Sequence, residues 1–507
     1  MTEMLDRRAF LHRAAVFTGG LASMGAFQSL AAREAYGSHR PTTTGYGPLA
    51  PKGELALPVE FNYDVVQRQF EVQRDGTLVP GLMDGMGAFP NPGEPHTTIL
   101  IRNHENRRQA GEVPVVVAPE FRYDEDVSYN AGDSKVVVRR NKVGMDPAAN
   151  QPIYSYDVVD SFNILGGTDT NCAGGVLPFK KWIACEEVVN RGASGKKHGY
   201  NFEIDALSDG PVKAVPILAA GRFHHEATAW RAGILYETED ERIVPDVPPP
   251  IADRKPLLGS CFYRYIPDDR VGQSGNLAET TGILQALKLK SEFHANMDTG
   301  RAVGVPYDVE WVTVDEPDHD DDTNRRRDRV PGFTPTRVQA QDKGAAFFDR
   351  QEGMWTGVGD SKIYFDCTEG GAMNLGQVWE HDPGRETITL IYESSSALSL
   401  ENPDNIVIVP QTGDVLLCED SPGTQFIRGV TQEGEIYDFA ELLAGTSELA
   451  GACFDPDQQT LYVNRFGRRG AQDRLPPQAL ATTYAIYGPF EQRLGDNSKT
   501  LGSGPSV

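Results

Sequence analysis

The chain lacks an excess of positive charge, long apolar runs beyond its N-terminal region, and a serine-hydrolase motif. Its 507 residues include 48 Lys and Arg against 72 Asp and Glu, which gives a net charge of −24. Binding to a nucleic-acid backbone requires a basic surface, so this composition argues against a nucleic-acid partner. No later apolar stretch is long enough to cross a bilayer, and we expect no transmembrane segment in the mature chain. A G-x-S-x-G nucleophile elbow is also missing.

Cysteine is scarce as well, with six residues in the whole chain. Most of them lie inside apolar runs, so we expect small core residues rather than a disulfide framework. One cysteine differs, because it lies among glycine, threonine and asparagine in residues 166–175. The six are Cys172, which is the exception, and Cys185, Cys261, Cys367, Cys418 and Cys453.

The N-terminus has the residue order of a twin-arginine export signal. Residues 6–11 read DRRAFL, a Gly- and Ala-rich apolar stretch follows, and Ser29 and Ala31 are small residues where a signal peptidase cleaves. We predict a signal peptide at residues 1–31, recognised by the twin-arginine translocase. The mature protein is then expected in the periplasm, at the cell surface or outside the cell. This route exports folded proteins, so folding would occur in a reducing compartment, where disulfides are disfavoured.

Glycine and proline are abundant, with 52 and 34 residues, and they separate short β-rich runs. Six runs end in polar or acidic residues, and several are spaced by about 45–55 residues, a propeller blade period. If these runs are the innermost strands, their polar ends meet at one mouth of a central channel. Carboxylates that close together require cations. The runs are 97–102, 181–185, 233–236, 362–367, 414–418 and 460–463.

The sequence therefore predicts an all-β fold, a six-bladed β-propeller with loop and short helical insertions. We assign residues 40–496 to this single domain and residues 497–507 to a flexible tail. Two insertions, Val244–Pro256 and Asp315–Arg329, are predicted to be surface loops. A third, Leu277–Ala295, has leucines at helical spacing and is predicted to be a short covering helix.

Three segments carry candidate functional side chains. Asn171 and Cys172 offer an amide and a thiol where glycines let the backbone approach an ion. Glu226 follows two histidines just before the third run. Arg350 lies two residues from Glu352, and its planar guanidinium suits a phosphate group. Each segment also has a structural interpretation, as a glycine-rich turn, a strand with a buried histidine, or a surface ion pair.

Together these segments resemble the PhoX-type alkaline phosphatases, a metal-dependent family built on a six-bladed β-propeller. The resemblance covers nearly the whole mature chain, and its strength lies in the number and order of the motifs. The motifs are 81–86 (GLMDGM), 102–105 (RNHE), 167–175 (GTDTNCAGG), 185–187 (CEE), 222–226 (RFHHE), 238–240 (TED), 350–353 (RQEG), 403–405 (PDN) and 451–456 (GACFDP).

The resemblance implies phosphomonoester hydrolysis at a cluster of ferric iron and calcium, Fe³⁺ and Ca²⁺, in the propeller channel. It implies catalytic roles for Arg350, which would orient the phosphate, and for Cys172 and Glu239, which would bind iron. Two further acids are added because the strand ends converge on the channel. The predicted metal ligands are Asn171, Cys172, Glu187, Glu226, Glu239, Glu352 and Asp420.

Two other functions are compatible with a calcium-binding propeller. A calcium-dependent, lactonase-like hydrolase would need no iron, and Cys172 would be dispensable. A non-enzymatic propeller would bind calcium for structure only, and Arg350 would have no usable position. The pairing of Cys172 with Asn171, and of Arg350 with Glu352, favours the phosphatase over both, although a fold alone does not fix a function.

Overall fold

The structure is a computed structural model that describes residues 44–146, 151–243, 259–269, 276–320, 335–472 and 474–494. The predicted signal peptide, the predicted tail, the proline-rich insertion 244–256 and residues 321–329 of the second insertion lie outside these ranges. Within the ranges, nearly all regular structure is β-strand, and the one α-helix is α1 (Thr336–Asp342). No helix in this part of the chain is both long and apolar enough to cross a membrane.

The strands of the described residues form five antiparallel sheets, which we divide into an entering segment and six groups called blades one to six. The entering strands are β1 (Leu49–Pro51), β2 (Leu55–Pro58) and β3 (Asn62–Arg68). Blade one consists of β4 (Met83–Pro90), β5 (Thr97–His104), β6 (Ala131–Asp146) and β7 (Gln151–Thr168). Blade two consists of β8 (Asn171–Leu177), β9 (Lys181–Glu186) and β10 (Asn201–Asp205).

The remaining blades follow in chain order. Blade three consists of β11 (His225–Arg231), β12 (Ile234–Glu239), β13 (Tyr263–Pro267), β14 (Gly282–Leu289) and an added β15 (Pro306–Thr313). Blade four consists of β16 (Gln351–Thr356), β17 (Ile363–Cys367), β18 (Gln377–Asp382) and β19 (Thr387–Glu393). Blade five consists of β20 (Pro403–Ile408), β21 (Val415–Glu419), β22 (Phe426–Val430) and β23 (Ile436–Leu442). Blade six consists of β24 (Leu449–Phe454), β25 (Thr460–Arg465) and β26 (Thr482–Tyr487).

The first strands of the blades lie around a common axis. Strand β4 contacts β8, β8 contacts β11, β11 contacts β16, β16 contacts β20, β20 contacts β24, and β24 contacts β4 again. The arrangement is a propeller, so the predicted all-β propeller class is confirmed. Strand β15 pairs with both β14 and β19 and joins blades three and four into one sheet.

The six β-rich runs are the second strands of the blades, so their prediction as innermost strands was wrong. They correspond to β5, β9, β12, β17, β21 and β25. These strands are buried along almost their whole length, and strands covered on both faces show continuous apolar runs. The first strands are interrupted by glycines and acids, which weakens the same signal.

The predicted covering helix over Leu277–Ala295 is also wrong, because its spaced leucines lie in strand β14 and only the 3-10 turn Leu277–Glu279 is helical. Leu284 packs in one hydrophobic cluster, while Leu287 and Leu289 pack in another. Even and odd positions of a strand point to opposite faces. A strand that is buried on both faces therefore produced a leucine spacing that imitates a helix.

The start of the chain closes the ring at blade six. Strand β3 pairs with β26 and supplies the fourth strand of that blade. The long β6–β7 hairpin extends from blade one across blade six, where Tyr156 packs near Tyr462 and Tyr487. Arg140 on the same hairpin forms an ion pair of 2.9 Å with Asp455. Blade one and blade six are therefore held together by two separate parts of the chain.

Glycines let the first strands approach one another closely. A Cβ atom on Gly175 of β8 would lie 2.0 Å from the Thr228 carbonyl oxygen of β11. A Cβ atom on Gly353 of β16 would lie 2.7 Å from the Ile406 backbone nitrogen of β20. Both contacts are with backbone atoms, which cannot rotate away as a side chain can. The diameter of the ring thus depends on residues without side chains.

Gly175→Ala is expected to lower the free energy of unfolding by about 1–3 kcal/mol, the usual cost of overpacking a core. The control is Gly210→Ala, because a Cβ atom there would meet nothing within 4 Å. Urea unfolding of both variants in a chelator separates this effect from metal binding. Equal unfolding midpoints for the two variants would contradict close packing of the first strands.

Candidate metal centre

Each first strand is interrupted by a β-bulge near its start. The register against the second strand shifts at Met83/Met86, Asn171/Gly174, His225/Thr228, Gln351/Met354, Pro403/Asn405 and Ala450/Cys453. A bulge adds an unpaired residue and changes the direction of a side chain. Five bulges carry an acid or a thiol, and the sixth carries Gly451. We call the five the ring residues: Asp84, Cys172, Glu226, Glu352 and Asp404.

The ring residues and two nearby acids form three donor triads. Within each triad, one ligand atom of every member lies within 4.8 Å of the others. Successive triads share a residue, first Cys172 and then Glu226, so the donors form one continuous cluster. The triads are Asp84–Glu105–Cys172, Cys172–Glu187–Glu226 and Glu226–Glu352–Asp404.

The ends of three second strands bring further acids to the same mouth of the ring. Glu105 follows β5, Glu187 follows β9, and Asp240 follows β12. Glu187 lies between the other two and interacts with both of their carboxyl groups. For these three blades, the polar ends of the second strands meet at the channel as the sequence predicted.

The cluster strongly disfavours full ionisation of its acids. Burial, together with neighbouring acids, raises the pKa of Glu226, Glu352 and Asp404 well above the usual range. Burial and Glu105 raise the pKa of Asp84 to about 7. Burial and Asp84 also raise the pKa of the Cys172 thiol. Protons or cations must therefore neutralise these side chains.

Several donor atoms have no hydrogen-bond partner among the described residues. They are Oδ1 of Asp84, Oδ1 of Asn171 and both carboxylate oxygens of Glu226. Leaving a buried polar atom unpaired costs about 1–3 kcal/mol, so such atoms call for an explanation. Carboxylate and amide oxygens suit hard cations, and a single thiolate adds a preference for a transition metal. The side chains therefore fit a metal cluster.

Four of the predicted ligands are brought together: Cys172, Glu187, Glu226 and Glu352. Asn171 lies beside Cys172, and its Nδ2 donates a hydrogen bond of 3.0 Å to Asp133. This hydrogen bond leaves the unpaired Oδ1 of Asn171 available as a ligand.

Besides Asn171, two predicted ligands, Glu239 and Asp420, lie outside the triads. The carboxylate of Glu239 accepts hydrogen bonds from Arg337 at 3.3 Å and from the Tyr263 hydroxyl at 3.0 Å. Asp420 is exposed after β21. Consecutive residues of a strand point to opposite sides, so Asp240 reaches the cluster where Glu239 does not.

Sequence reasoning did not assign Asp84, Glu105, Asp404 or Asp240. All four lie in motifs that carry the family resemblance. Glu105 and Asp240 follow predicted runs, whereas Asp84 and Asp404 lie in first strands without a long apolar run. A two-residue pattern that recurs in the sequence would have identified four of the five ring residues. An acid or thiol is followed by a small residue in Asp84-Gly85, Cys172-Ala173, Glu226-Ala227 and Glu352-Gly353.

Two arginines flank the cluster at its mouth. Arg350 donates two hydrogen bonds of 3.0 and 2.9 Å to Asp240 and another to Glu352. Burial alone would raise the pKa of Asp240, but the charge on Arg350 outweighs it and lowers this pKa. Arg107 pairs with Glu105 and keeps 47% of its side chain exposed. Both guanidinium groups place positive charge where an anion would approach the cluster.

Arg350 has an unusual backbone conformation. Its φ of 52° lies in the left-handed region, which few non-glycine residues occupy. The Arg350 N–H donates a hydrogen bond of 3.1 Å to the Glu241 carbonyl. The Arg350 carbonyl accepts a hydrogen bond of 2.9 Å from the Thr368 N–H. The strain is therefore held by blades three and four together, at a residue that contacts the cluster.

A buried network supports the backbone before Cys172. The carboxylate of Glu186 accepts a hydrogen bond of 3.0 Å from the Asp169 N–H and contacts His198 Nδ1 at 2.7 Å. The His198 ring stacks on Tyr129 with a centroid distance of 4.1 Å. Glu186 thus holds the turn in front of Cys172, while its neighbour Glu187 reaches the cluster.

The axis is apolar beyond the ring residues. A narrow cavity there is lined by side chains that include Met86, Trp182, Met354, Trp355 and Ile406. The charged groups therefore lie at the mouth where the second strands end, and the opposite side of the ring is filled by hydrophobic contacts.

Comparison with known proteins places this geometry in context. A family model described as "Alkaline phosphatase PhoX" matches residues 44–466. The solved structure of Pseudomonas fluorescens PhoX in complex with vanadate, a transition state analogue, is similar to this chain with a TM-score of 0.59. The identity is 16%, and the match covers 89% of this chain and 98% of that chain. At this identity the likeness concerns the fold.

A second solved structure, of U3-55K, has a TM-score of 0.38 at 6% identity and covers 84% of this chain and 98% of that chain. This likeness is too weak to support an argument. No curated protein matches the chain by sequence.

Metal removal is expected to destabilise the protein, and calcium is expected to restore it. A ligand at 100 times its Kd adds about 2.7 kcal/mol to the free energy of unfolding.

Glu226→Gln should raise the thermal midpoint in chelator, because it removes one charge from the buried cluster. The same substitution should reduce the increase in thermal midpoint on adding calcium. Glu433→Gln, with 69% of the side chain exposed, is the control. An equal calcium gain in wild type and Glu226→Gln would contradict the assignment.

Proposed function

The chain belongs to the alkaline phosphatase PhoX family, and from this premise we propose how its site works. The family match covers residues 44–466, so the chain is a phosphoric monoester hydrolase. We propose that hydrolysis takes place at a cluster of ferric iron and calcium bound by the three donor triads. The observation that supports this proposal is the continuous set of buried acids around one thiol.

The donor types suggest which ion each part of the cluster takes. Cys172 is the only sulfur donor in the triads, so the triads that contain it would hold iron. The Glu226–Glu352–Asp404 triad offers oxygen atoms alone and would hold calcium. When bound, multivalent cations neutralise phosphoryl oxygens and lower the pKa of a bound water.

The flanking arginines would orient the substrate. The guanidinium of Arg350 is fixed by Asp240 and Glu352 and is 21% exposed, so it can present N–H groups to two phosphate oxygens. A phosphomonoester is a dianion at alkaline pH, and the arginine charge is unchanged there. Because monoester hydrolysis is very slow without a catalyst, the site has to lower the barrier by on the order of 20 kcal/mol.

We further propose that the protein is exported through the twin-arginine translocase and acts in the periplasm, at the cell surface or outside the cell. Residues 6–11 support this proposal, because they have the order of a twin-arginine signal. Cys172 supports it indirectly. Folding in a reducing compartment keeps the thiol available for a metal until the site is complete.

Cys172→Ala is expected to remove iron and to lower kcat for p-nitrophenyl phosphate by at least about 100-fold. Cys453→Ala is the matched control, because Cys453 is also buried but lies outside the donor triads. Iron and calcium are measured on the same samples by plasma mass spectrometry. Full activity in Cys172→Ala, or wild type without iron and without hydrolysis, would refute the proposal.

Arg350→Gln is expected to lower kcat/KM by about 100-fold or more, because one fixed donor to the phosphate is lost. Metal content should stay close to that of wild type, since Arg350 is not a metal ligand. Arg385→Gln, at a side chain that is 81% exposed, is the control. An unchanged kcat/KM would exclude a role for Arg350 in orienting the substrate.

A further inference from the structure

The bulges that carry the ring residues also free backbone carbonyl groups from the strand pairing. Four of these carbonyls, at or next to a ring residue, accept a hydrogen bond from a polar side chain of the preceding blade. The donors lie near the ends of the second strands. The bonds run from Asn103 to the Ala173 oxygen at 2.6 Å, Thr238 to the Glu352 oxygen at 2.6 Å, Thr368 to the Pro403 oxygen at 2.6 Å, and Asn464 to the Asp84 oxygen at 2.7 Å.

Three of the four donor side chains are themselves held in place. Asn103 accepts a hydrogen bond of 2.8 Å from the Trp182 indole N–H, and Asn464 accepts one of 2.7 Å from the Thr483 hydroxyl. The Thr238 hydroxyl accepts one of 3.0 Å from the Ala227 N–H. All four donors are 2% exposed or less. The orientation of each donor is therefore set by the surrounding core.

Blade six shows the contact between a donor side chain and a bulge carbonyl most clearly, because its bulge residue is Gly451. A Cβ atom on Gly451 would lie 2.6 Å from Asn464 Nδ2 and 2.3 Å from the Asp84 carbonyl oxygen. The space that a ring side chain would need is thus occupied by the amide of Asn464 and by the carbonyl that it binds. Blade six contributes to the ring by holding Asp84 and offers no ring side chain of its own.

We propose that Asn103, Thr238, Thr368 and Asn464 are positioning residues that set the direction of the ring side chains. Metal ligands are effective when a second set of contacts fixes them, and loss of such a contact typically weakens metal binding 10–100-fold. The proposal rests on the proposed metal centre, since the ring residues are its ligands.

Thr238 gives the sharpest case. Its hydroxyl accepts from the N–H of Ala227, which follows Glu226, and donates to the carbonyl of Glu352. One hydroxyl therefore connects the backbones of two members of the Glu226–Glu352–Asp404 triad. Thr368 holds Pro403, which precedes the third member. Loss of either hydroxyl should loosen this oxygen triad most and leave intact the Asp84–Glu105–Cys172 triad, which shares no residue with it.

The test compares Thr238→Val, which keeps the shape and removes the hydroxyl, with Thr238→Ser, which keeps the hydroxyl. Thr460→Val is the control, because its buried hydroxyl contacts Arg140 and Tyr156 away from the ring. Calcium and iron per protein are measured after dialysis against graded chelator concentrations. The free energy of unfolding in excess chelator is measured in parallel.

Thr238→Val is expected to lose calcium at a chelator concentration about tenfold lower than wild type, with a smaller loss of iron and a lower kcat. Thr238→Ser and Thr460→Val should retain calcium as wild type does. In excess chelator, Thr238→Val and Thr460→Val should lose similar amounts of stability. Thr368→Val provides a second, independent variant with the same expected loss of calcium, should Thr238→Val fail to fold.

Wild-type calcium retention in both Thr238→Val and Thr368→Val would overturn the proposal. So would an equal loss of calcium in Thr460→Val, because it would reveal only a general loosening of the core. A wild-type protein that holds metal and hydrolyses phosphomonoesters while the variants match it would refute the positioning role alone. A wild-type protein without metal would instead refute the proposed centre on which this role depends.

Discussion

The mutual repulsion of buried acids around the propeller axis is the constraint on which the rest of the structure depends. Asp84, Glu226, Glu352 and Asp404 lie close together around Cys172, and burial raises the pKa of each of these carboxyl groups. The dielectric constant of a buried interior is low, so such a group of like charges is stable only when cations or protons neutralise it. Arg350 pairs with Asp240 and Glu352, and Arg107 pairs with Glu105, so the remaining ring acids depend most on metal ions or protons for neutralisation.

The fold meets this constraint with a small set of local devices. In five first strands a bulge turns one side chain out of the normal alternation, and in four of them a following glycine or alanine gives the neighbouring strand room. The second strands then supply both the acids at the mouth and the polar side chains that hold the bulged backbone. The β-bulges of the first strands therefore create the site, and the regular outer strands hold the bulged strands in place.

The sequence allowed the propeller class and the family to be predicted, along with Cys172, Glu187, Glu226 and Glu352. Glu187 follows a second strand whose continuous apolar pattern is easy to detect. The other three lie in first strands and were singled out by their neighbours: Cys172 lies among glycines, Glu226 follows two histidines, and Glu352 lies two residues from an arginine. Asp84 and Asp404 were missed because no thiol, histidine or arginine lies beside them, and because the bulges in their strands disturb the period of two. Glu239 was assigned from the family resemblance, whereas Asp240 is the residue that lies at the cluster. The side to which a strand's last residue points depends on the bulge opposite it, which the sequence does not reveal.

The same reasoning explains the two structural errors. First strands are short of continuous apolar residues, so the second strands took their place in the predicted channel. Leu284, Leu287 and Leu289 suggested a helix because β14 is buried on both faces, and spacing alone does not distinguish that case from an amphipathic helix.

Anomalous X-ray diffraction from crystals of the purified, active protein tests the central claim most directly. Data collected around the iron absorption edge and at longer wavelength distinguish iron from calcium. The account predicts an iron peak bonded to Cys172 Sγ and a calcium peak between Glu226, Glu352 and Asp404. Crystals of active protein with no anomalous peak among the ring residues would contradict it.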